Sequence, residues 1–272
     1  MKRTIVLLST GLLAVACEQP TRQQPAADPA AAAVATAATA AALPALVPDT
    51  IQLPDGAHGQ WSVLQTGTFH HEEVPEDAEK QAWLGLFRGP QGYYVAPAPL
   101  RVKRAYDAIV DEDGEQTGWE VAVPGNADHC VLLLATQGAV PAGRTDTAAV
   151  KPQLLLPGKL LRFAFRGASY TLAATGAWAA GDTSAYAVQN YKLYLAADAA
   201  PGKRQLLAAT PHFDDAMMQL VWIGDLDHDQ RPDFILDTAS HYNSSSPSVY
   251  LSSRAEGQEL VKFVGQHVIT GC

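Results

Sequence analysis

Along most of the chain, apolar residues come in short runs that glycine, proline or a polar pair soon cuts off. Residues 83–88 and 93–96 flank Gly89-Pro90-Gln91-Gly92. A spacer of that kind predicts a β-hairpin, because glycine and proline supply turn dihedrals and interrupt strand pairing. Residues 154–156, 160–165 and 169–173, separated by Pro157-Gly158 and Arg166-Gly167, read as a three-strand meander. Residues 191–196, 205–209, 219–223, 234–236, 248–251 and 260–264 continue the pattern at close spacing. No apolar set recurs at helical spacing over any length; residues 76–83 could wind one or two turns. The expectation is an all-β fold: a sandwich, barrel or meander of short antiparallel strands with few short helices.

The first 48 residues are a different material. Lys2 and Arg3 precede an uncharged, largely apolar run over 4–15. That run is shorter than the roughly 20 residues a helix needs to cross a bilayer and suits a secretion signal. It ends in Ala14-Val15-Ala16-Cys17, and Glu18-Gln19-Pro20 follow. This junction resembles the lipobox of bacterial lipoproteins, with Ala14 where the family usually carries leucine. The resemblance implies that residues 1–16 are a cleaved signal peptide and that Cys17 is lipidated. It also implies more than one acyl chain, hence a stable membrane tether. Glu18, in place of the aspartate that retains such proteins at the inner membrane, implies by analogy the outer membrane of the envelope, with the leaflet left open. A plain secretion signal and a retained apolar anchor are the alternatives. Residues 17–48, rich in alanine and proline, read as a spacer, the alternative being a docked helix. Residues 49–272 are then a β-rich globular region, divisible into 49–150 and 151–272.

Composition narrows the partners. The chain is 47% hydrophobic and 17% charged, enough apolar material for a core, and its formal net charge is −9 with no block of Lys or Arg. Nucleic acid is therefore not an expected partner, since binding it rests on neutralising phosphates. An envelope protein or a glycan is the expected class. Of three cysteines, Cys17 is assigned to the lipid; Cys130 and Cys272 remain. In an oxidising compartment, two cysteines without metal-ligand spacing are expected to form a disulfide, the alternative being two free thiols.

The most informative stretch runs Gly224-Asp225-Leu226-Asp227-His228-Asp229-Gln230-Arg231-Pro232-Asp233. Aspartates at positions 1, 3, 5 and 9 stand between two apolar segments. Calcium takes six to eight oxygen ligands, and alternating carboxylates on a tight loop can converge on one ion. Asp225, Asp227, Asp229 and Asp233, with the Arg231 backbone carbonyl at position 7, form the candidate ligand set. The segment resembles the calcium loop of FG-GAP repeats, the integrin-type propeller motif, and related EF-hand-like loops. Those loops usually have glycine at positions 4 and 6, where this chain has His228 and Gln230. Non-glycine residues cost about 1–2 kcal/mol in a left-handed backbone. The resemblance therefore implies a weak, structural calcium site. Only one copy of the loop is visible, so a many-bladed propeller is not implied. A solvated acidic turn is the alternative. The wider run from Asn190 through Tyr250-Leu251-Ser252-Ser253 to Gly271-Cys272 is similar to a group of bacterial envelope proteins, a likeness that carries no activity.

Other polar clusters read less specifically. Asp111-Glu112-Asp113-Gly114-Glu115 lacks alternating ligand spacing and predicts a hairpin turn. His70 and His71 are adjacent, so in a strand they point to opposite faces and cannot share one ion. His212, Asp214 and His241 could build a dispersed hydrolytic centre if the fold gathers them. Trp178, Tyr186, Tyr191 and Tyr194 could line a glycan-binding face or pack in the core. No nucleophile elbow, phosphate-cradling loop, zinc-protease motif or dinucleotide fingerprint occurs. The sequence thus favours a non-enzymatic, envelope-anchored binding or structural module with a calcium-braced loop, over an envelope hydrolase.

Overall fold

A computed structural model describes residues 51–136, 138–178 and 187–271. The signal segment, the spacer, Cys17, Tyr186 and Cys272 lie outside the described residues. Within them the chain is all-β: nineteen strands and two single-turn 3-10 helices, with no α-helix. The turn expected over 76–83 is one of those 3-10 helices, Ala78–Lys80, after which Trp83 is buried at the head of a strand.

Five open sheets form, and all their strand pairs are antiparallel. The first is β1 (Ser62–Leu64), β7 (His129–Ala135), β3 (Leu84–Gly89), β4 (Gly92–Pro97) and β8 (Gly143–Arg144), in that spatial order. A three-stranded sheet of β2 (Gly67–Phe69), β6 (Gly118–Ala122) and β5 (Arg101–Ala105) covers one of its faces. A second five-stranded sheet holds β18 (Lys262–Gln266), β17 (Pro247–Leu251), β15 (Asp233–Asp237), β14 (Gln219–Gly224) and β9 (Gln153–Leu154). A four-stranded meander follows: β10 (Leu160–Phe165), β11 (Ala168–Trp178), β12 (Val188–Ala197) and β13 (Arg204–His212). A short pair, β16 (Ser244–Ser245) with β19 (Ile269–Thr270), completes the set.

The expected hairpin across Gly89–Gly92 forms between β3 and β4. The expected meander forms too, with one correction. The run at 154–156 does not pair with β10; β9 instead extends the second five-stranded sheet through Gln219↔Leu154 and Leu220↔Gln153.

Three apolar clusters explain how the sheets stack. Along β15, Phe234 and Leu236 enter one cluster with Phe163, Leu193 and Tyr250, while Ile235 enters another with Val63, Leu86 and Leu132. β17 repeats this: Tyr250 faces the first cluster, Val249 and Leu251 the second. A strand whose alternate residues are all apolar must be covered on both faces. Fully burying a Phe or Leu side chain is worth roughly 1.5–3 kcal/mol, so these strands fix the central sheet. On β7, Leu132 and Leu134 face the second cluster and Leu133 the third, with Phe69, Trp83 and Phe87. The division expected near residue 150 therefore separates sheets without separating cores. Strands β1–β8 and β9–β19 pair only among themselves, yet the second cluster draws on both halves.

Side chains near β2 fasten the last strand. Glu73 Oε1 accepts the Thr270 N–H at 2.5 Å, and its Oε2 accepts the His70 N–H at 2.9 Å. His267 is buried with both ring nitrogens occupied: Gln65 N–H donates to Nδ1 at 3.1 Å, so Nε2 carries the proton donated to Glu73 O at 2.9 Å. His70 Nδ1 lies 2.6 Å from Oδ2 of buried Asp107, and the Thr270 backbone bonds the same ring. The Asp107 bond raises the pKa of His70 against the opposing effect of burial, and the same bond lowers that of Asp107.

A raised histidine stabilises below its unfolded value near 6.5 and ceases to as pH rises through its folded value. A lowered aspartate stabilises above 3.8 and ceases to as pH falls through its folded value. The melting-temperature deficit of His70→Gln against wild type should therefore be largest between pH 3.8 and 6.5 and close on either side. A deficit flat from pH 4 to 9 would show that the ion pair does not contribute.

Candidate metal centre

The aspartate loop joins β14 to β15 and is built inward from both ends. Gly224 closes β14 where a Cβ would run into the Trp222 ring and the Asp146 carbonyl. Asp225 N–H donates to that carbonyl at 2.9 Å. Leu226 is fully buried in the second apolar cluster and pins the loop like a plug. Its N–H donates to Asp233 Oδ2 at 2.7 Å, closing the loop on itself. His228 and Gln230 have φ of 63° and 71°. Those are positions 4 and 6, where the resembled loops use glycine, and here L-residues take the left-handed backbone.

Asp225, Asp227 and Asp229 each bring one carboxylate oxygen to within 4.8 Å of the others. They are the one such group of three among the described residues. Asp225 is 2% exposed; its Oδ2 accepts the Gln230 N–H at 3.0 Å, and its Oδ1 has no donor. Asp227 Oδ1 is likewise buried without a donor, while its Oδ2 accepts the Ser253 hydroxyl. Four buried side-chain N or O atoms lack partners among the described residues, and these two sit in one loop. Asp229 is better supplied: Arg231 N–H reaches Oδ1 at 2.8 Å, Arg231 Nη2 reaches Oδ2 at 2.8 Å, and the Ser252 hydroxyl reaches both oxygens.

Asp233 does not belong to the converging set. It is fully buried, and both its oxygens are taken: Oδ1 by Ser252 N–H at 2.8 Å and the Ser252 hydroxyl at 3.1 Å, Oδ2 by Leu226 N–H. It braces the loop. Arg231 takes part through its side chain, which also donates to Ser252 O at 3.0 Å. Ser252, Ser253, Asp146 and Arg166 were invisible to spacing, since each is separated from the loop by many residues. Arg166, at the β10–β11 turn, contacts the Asp146 carboxylate and lies 3.8 Å from Asp225 Oδ2.

Electrostatics follow from this placement. Burial raises the Asp225 pKa, with the Asp229 and Asp227 charges adding to it and the Gln230 bond and Arg166 opposing. Burial raises Asp233 well above the ordinary carboxylate range, and the Asp227 charge adds to that. Two carboxylates 4.8 Å apart repel by about 1 kcal/mol in bulk water and about 3–4 kcal/mol at an effective dielectric of 20. The loop concentrates negative charge and leaves two oxygens without hydrogen.

The other candidates resolve differently. Asp214 and His241 meet, with Nε2 to Oδ2 at 2.7 Å, but Nδ1 of the same ring lies 2.5 Å from Asn243 Oδ1. Both ring nitrogens are occupied, and Ser244 Oγ donates to the His241 carbonyl rather than to the ring. His212 is exposed, and no contact joins its side chain to that pair. Tyr191 and Tyr194 are core residues and Trp178 alone of the described aromatic set is exposed. Cys130 carries a free thiol among the described residues, and the Cys272 expected to bridge to it lies outside them. Its sulfur lies 3.7 Å from the Leu132 carbonyl and burial pushes the thiol up to about 12.

The braces and the converging acids should respond oppositely to substitution. Asp233→Ala strands the Leu226 and Ser252 N–H groups and should cost at least about 2 kcal/mol in chemical denaturation, with or without divalent ions. Asp227→Asn removes a repelling charge and should stabilise the chelator-treated protein by up to about 1 kcal/mol. Destabilisation by both would mean that Asp227 is a brace as well. No family model, curated protein or solved structure matches this chain, and the loop's own geometry carries the functional argument.

Proposed function

We propose that this chain is an envelope-anchored lipoprotein whose β-domain is a binding or structural module braced by a divalent cation, calcium, at Asp225, Asp227 and Asp229. The observation that carries the cation is the buried Asp225 carboxylate, with an oxygen lacking any donor, in a group of three converging acids. The donor set supports a hard ion: it is all oxygen, with the Ser252 and Ser253 hydroxyls close by and no thiolate or imidazole among the three. An ion there would supply the positive charge that three neighbouring carboxylates require and would draw the raised pKa of Asp225 down. Its role is structural, tying the β14–β15 connection to the Ser252-Ser253 segment after β17.

The tether rests on the sequence, the lipobox-like junction at Cys17. Of the partner classes, an envelope protein has more support than a glycan, since Tyr191 and Tyr194 are buried and Trp178 alone of the described aromatic set is exposed. A hydrolytic role for His241 has less support, because its ring has no nitrogen left to take a proton from a nucleophile.

Calcium titration of the full chain in detergent tests the brace. At about ten times Kd, an ion that binds only the folded state adds roughly 1.4 kcal/mol. That amounts to a melting-temperature rise of about 3–6 °C for a domain of this size. The rise should vanish in Asp227→Ala and Asp229→Ala. An unchanged wild-type melt from chelator to 10 mM calcium would remove the cation from the proposal. The tether is tested separately: Cys17→Ser should move the protein from the membrane fraction to the soluble envelope fraction, and unchanged fractionation would argue against lipidation.

A further inference from the structure

The centre described above has a positive charge of its own, supplied from another sheet. Arg166 stands at the β10–β11 turn in a left-handed conformation, φ 45°, and its side chain reaches the loop. Its Nη2 contacts Asp146 Oδ2 and stands 3.8 Å from Asp225 Oδ2. The two acids differ sharply: the Asp146 side chain is 62% exposed and that of Asp225 2%. The guanidinium thus bridges a solvated carboxylate and a buried one. Asp146 cannot move far from Asp225, because its own carbonyl accepts the Asp225 N–H.

We infer that Arg166 is an internal competitor for the cation, and that Asp146 is the residue that holds it aside when the ion binds. This rests on the cation proposal above. A guanidinium is planar and spreads one charge over a wide fork. From its turn it reaches one of the three converging carboxylates, so it offsets part of the repulsion without replacing the ion. When a divalent ion enters, two like charges border Asp225. The guanidinium then has one favourable carboxylate left, that of Asp146. Arg166 therefore lowers the affinity the three aspartates would have alone, and Asp146 restores part of it. Ion binding is coupled in this way to the tip of the β10–β11 hairpin, in a sheet that shares no strand pairing with the loop. Arg231 cannot serve as the same test, since its N–H and side chain are both part of the loop's internal bonding.

Calorimetric titration of the full chain with calcium chloride, in four forms, tests this. Arg166→Gln should bind calcium about 3- to 10-fold more tightly than wild type, the ion's double charge enlarging the usual surface pair effect. Asp146→Asn should weaken binding in the wild-type background by a similar factor. In the Arg166→Gln background the same change should weaken it by less than about twofold, the long-range charge effect alone. Arg166→Lys keeps the charge and should stay within about twofold of wild type, separating charge from side-chain shape. In chelator, Arg166→Gln should melt lower than wild type yet gain more from calcium, whereas a simple structural brace would lower both melts equally. Equal affinities for wild type and Arg166→Gln, or weaker binding by the variant, overturn the competitor while leaving the cation site standing. No binding by any form overturns the site itself. Binding by Arg166→Gln alone supports both.

Discussion

The two-sided burial of β14, β15 and β17 is the constraint from which the rest follows. Phe234 and Leu236 serve one apolar cluster and Ile235 another, so slipping β15 by one residue would exchange their faces and empty both cores. With the strands so fixed, the loop between Gly224 and Asp233 has both ends set before its own chemistry counts. Leu226, buried in the second cluster, sets its middle as well. The aspartates at the two ends are consequently carried under the surface, Asp225 at 2% exposure and Asp233 at none. Their burial is a result of strand register, and the charge it costs must then be offset locally.

The protein offsets it unevenly. Asp233 receives two backbone N–H donors and Asp229 receives the Arg231 N–H and guanidinium, with the single Ser252 hydroxyl proton shared between them, so both are largely satisfied by the chain. Asp225 and Asp227 each keep one oxygen without hydrogen. The two arginines nearby, Arg166 and Arg231, each approach one of the three converging acids, Asp225 and Asp229 respectively. A compact ion can accept an oxygen from each of three carboxylates, where a planar guanidinium on a long stem meets one or two. On the proposal above, the partial neutralisation by arginine would make the loop tolerable without an ion and would limit how tightly an ion is held.

Much of the fold could be read from local patterns, and what could not has a common cause. The span of β10, residues 160–165, matches its apolar run, and Arg166-Gly167 is the turn after it. β5 and β6 escaped notice because their alternation is blunted by charge: Arg101, Lys103 and Arg104 lie on β5 and Glu120 on β6. The run at 154–156 looked like a partner of β10, but nothing in a short apolar run specifies which strand it joins, and Leu220 and Gln219 claimed it. In the loop, the left-handed backbone at His228 and Gln230 was legible from the spacing of the resembled motif. The division of labour among four aspartates was not, since it depends on Ser252 and Ser253, which reach the loop through the pairing of β15 with β17. The adjacent-histidine argument at His70 and His71 assumed a strand, whereas His70 follows the end of β2 and His71 lies in a turn, and it could not foresee Asp107, 37 positions away, as the partner of His70.

The chain contains a second acidic turn that separates charge density from a need for metal. Asp111 through Glu115 holds four acids in five positions, denser than the loop at 225. Burial acts on Asp111 too, but the Asp107 N–H reaches its Oδ2 at 2.8 Å, and the Thr117 N–H and hydroxyl supply two more donors. Those donors hold its carboxyl below the ordinary range, where the Asp225 carboxyl is raised. Its neighbours Glu112, Asp113 and Glu115 are exposed. One turn thus answers its charge with backbone and hydroxyl donors and with exposure, and the other brings three carboxylates together while leaving two buried oxygens without a donor. What distinguishes them is the supply of hydrogen at the buried oxygen, a property of tertiary structure that the count of acids along the chain does not carry.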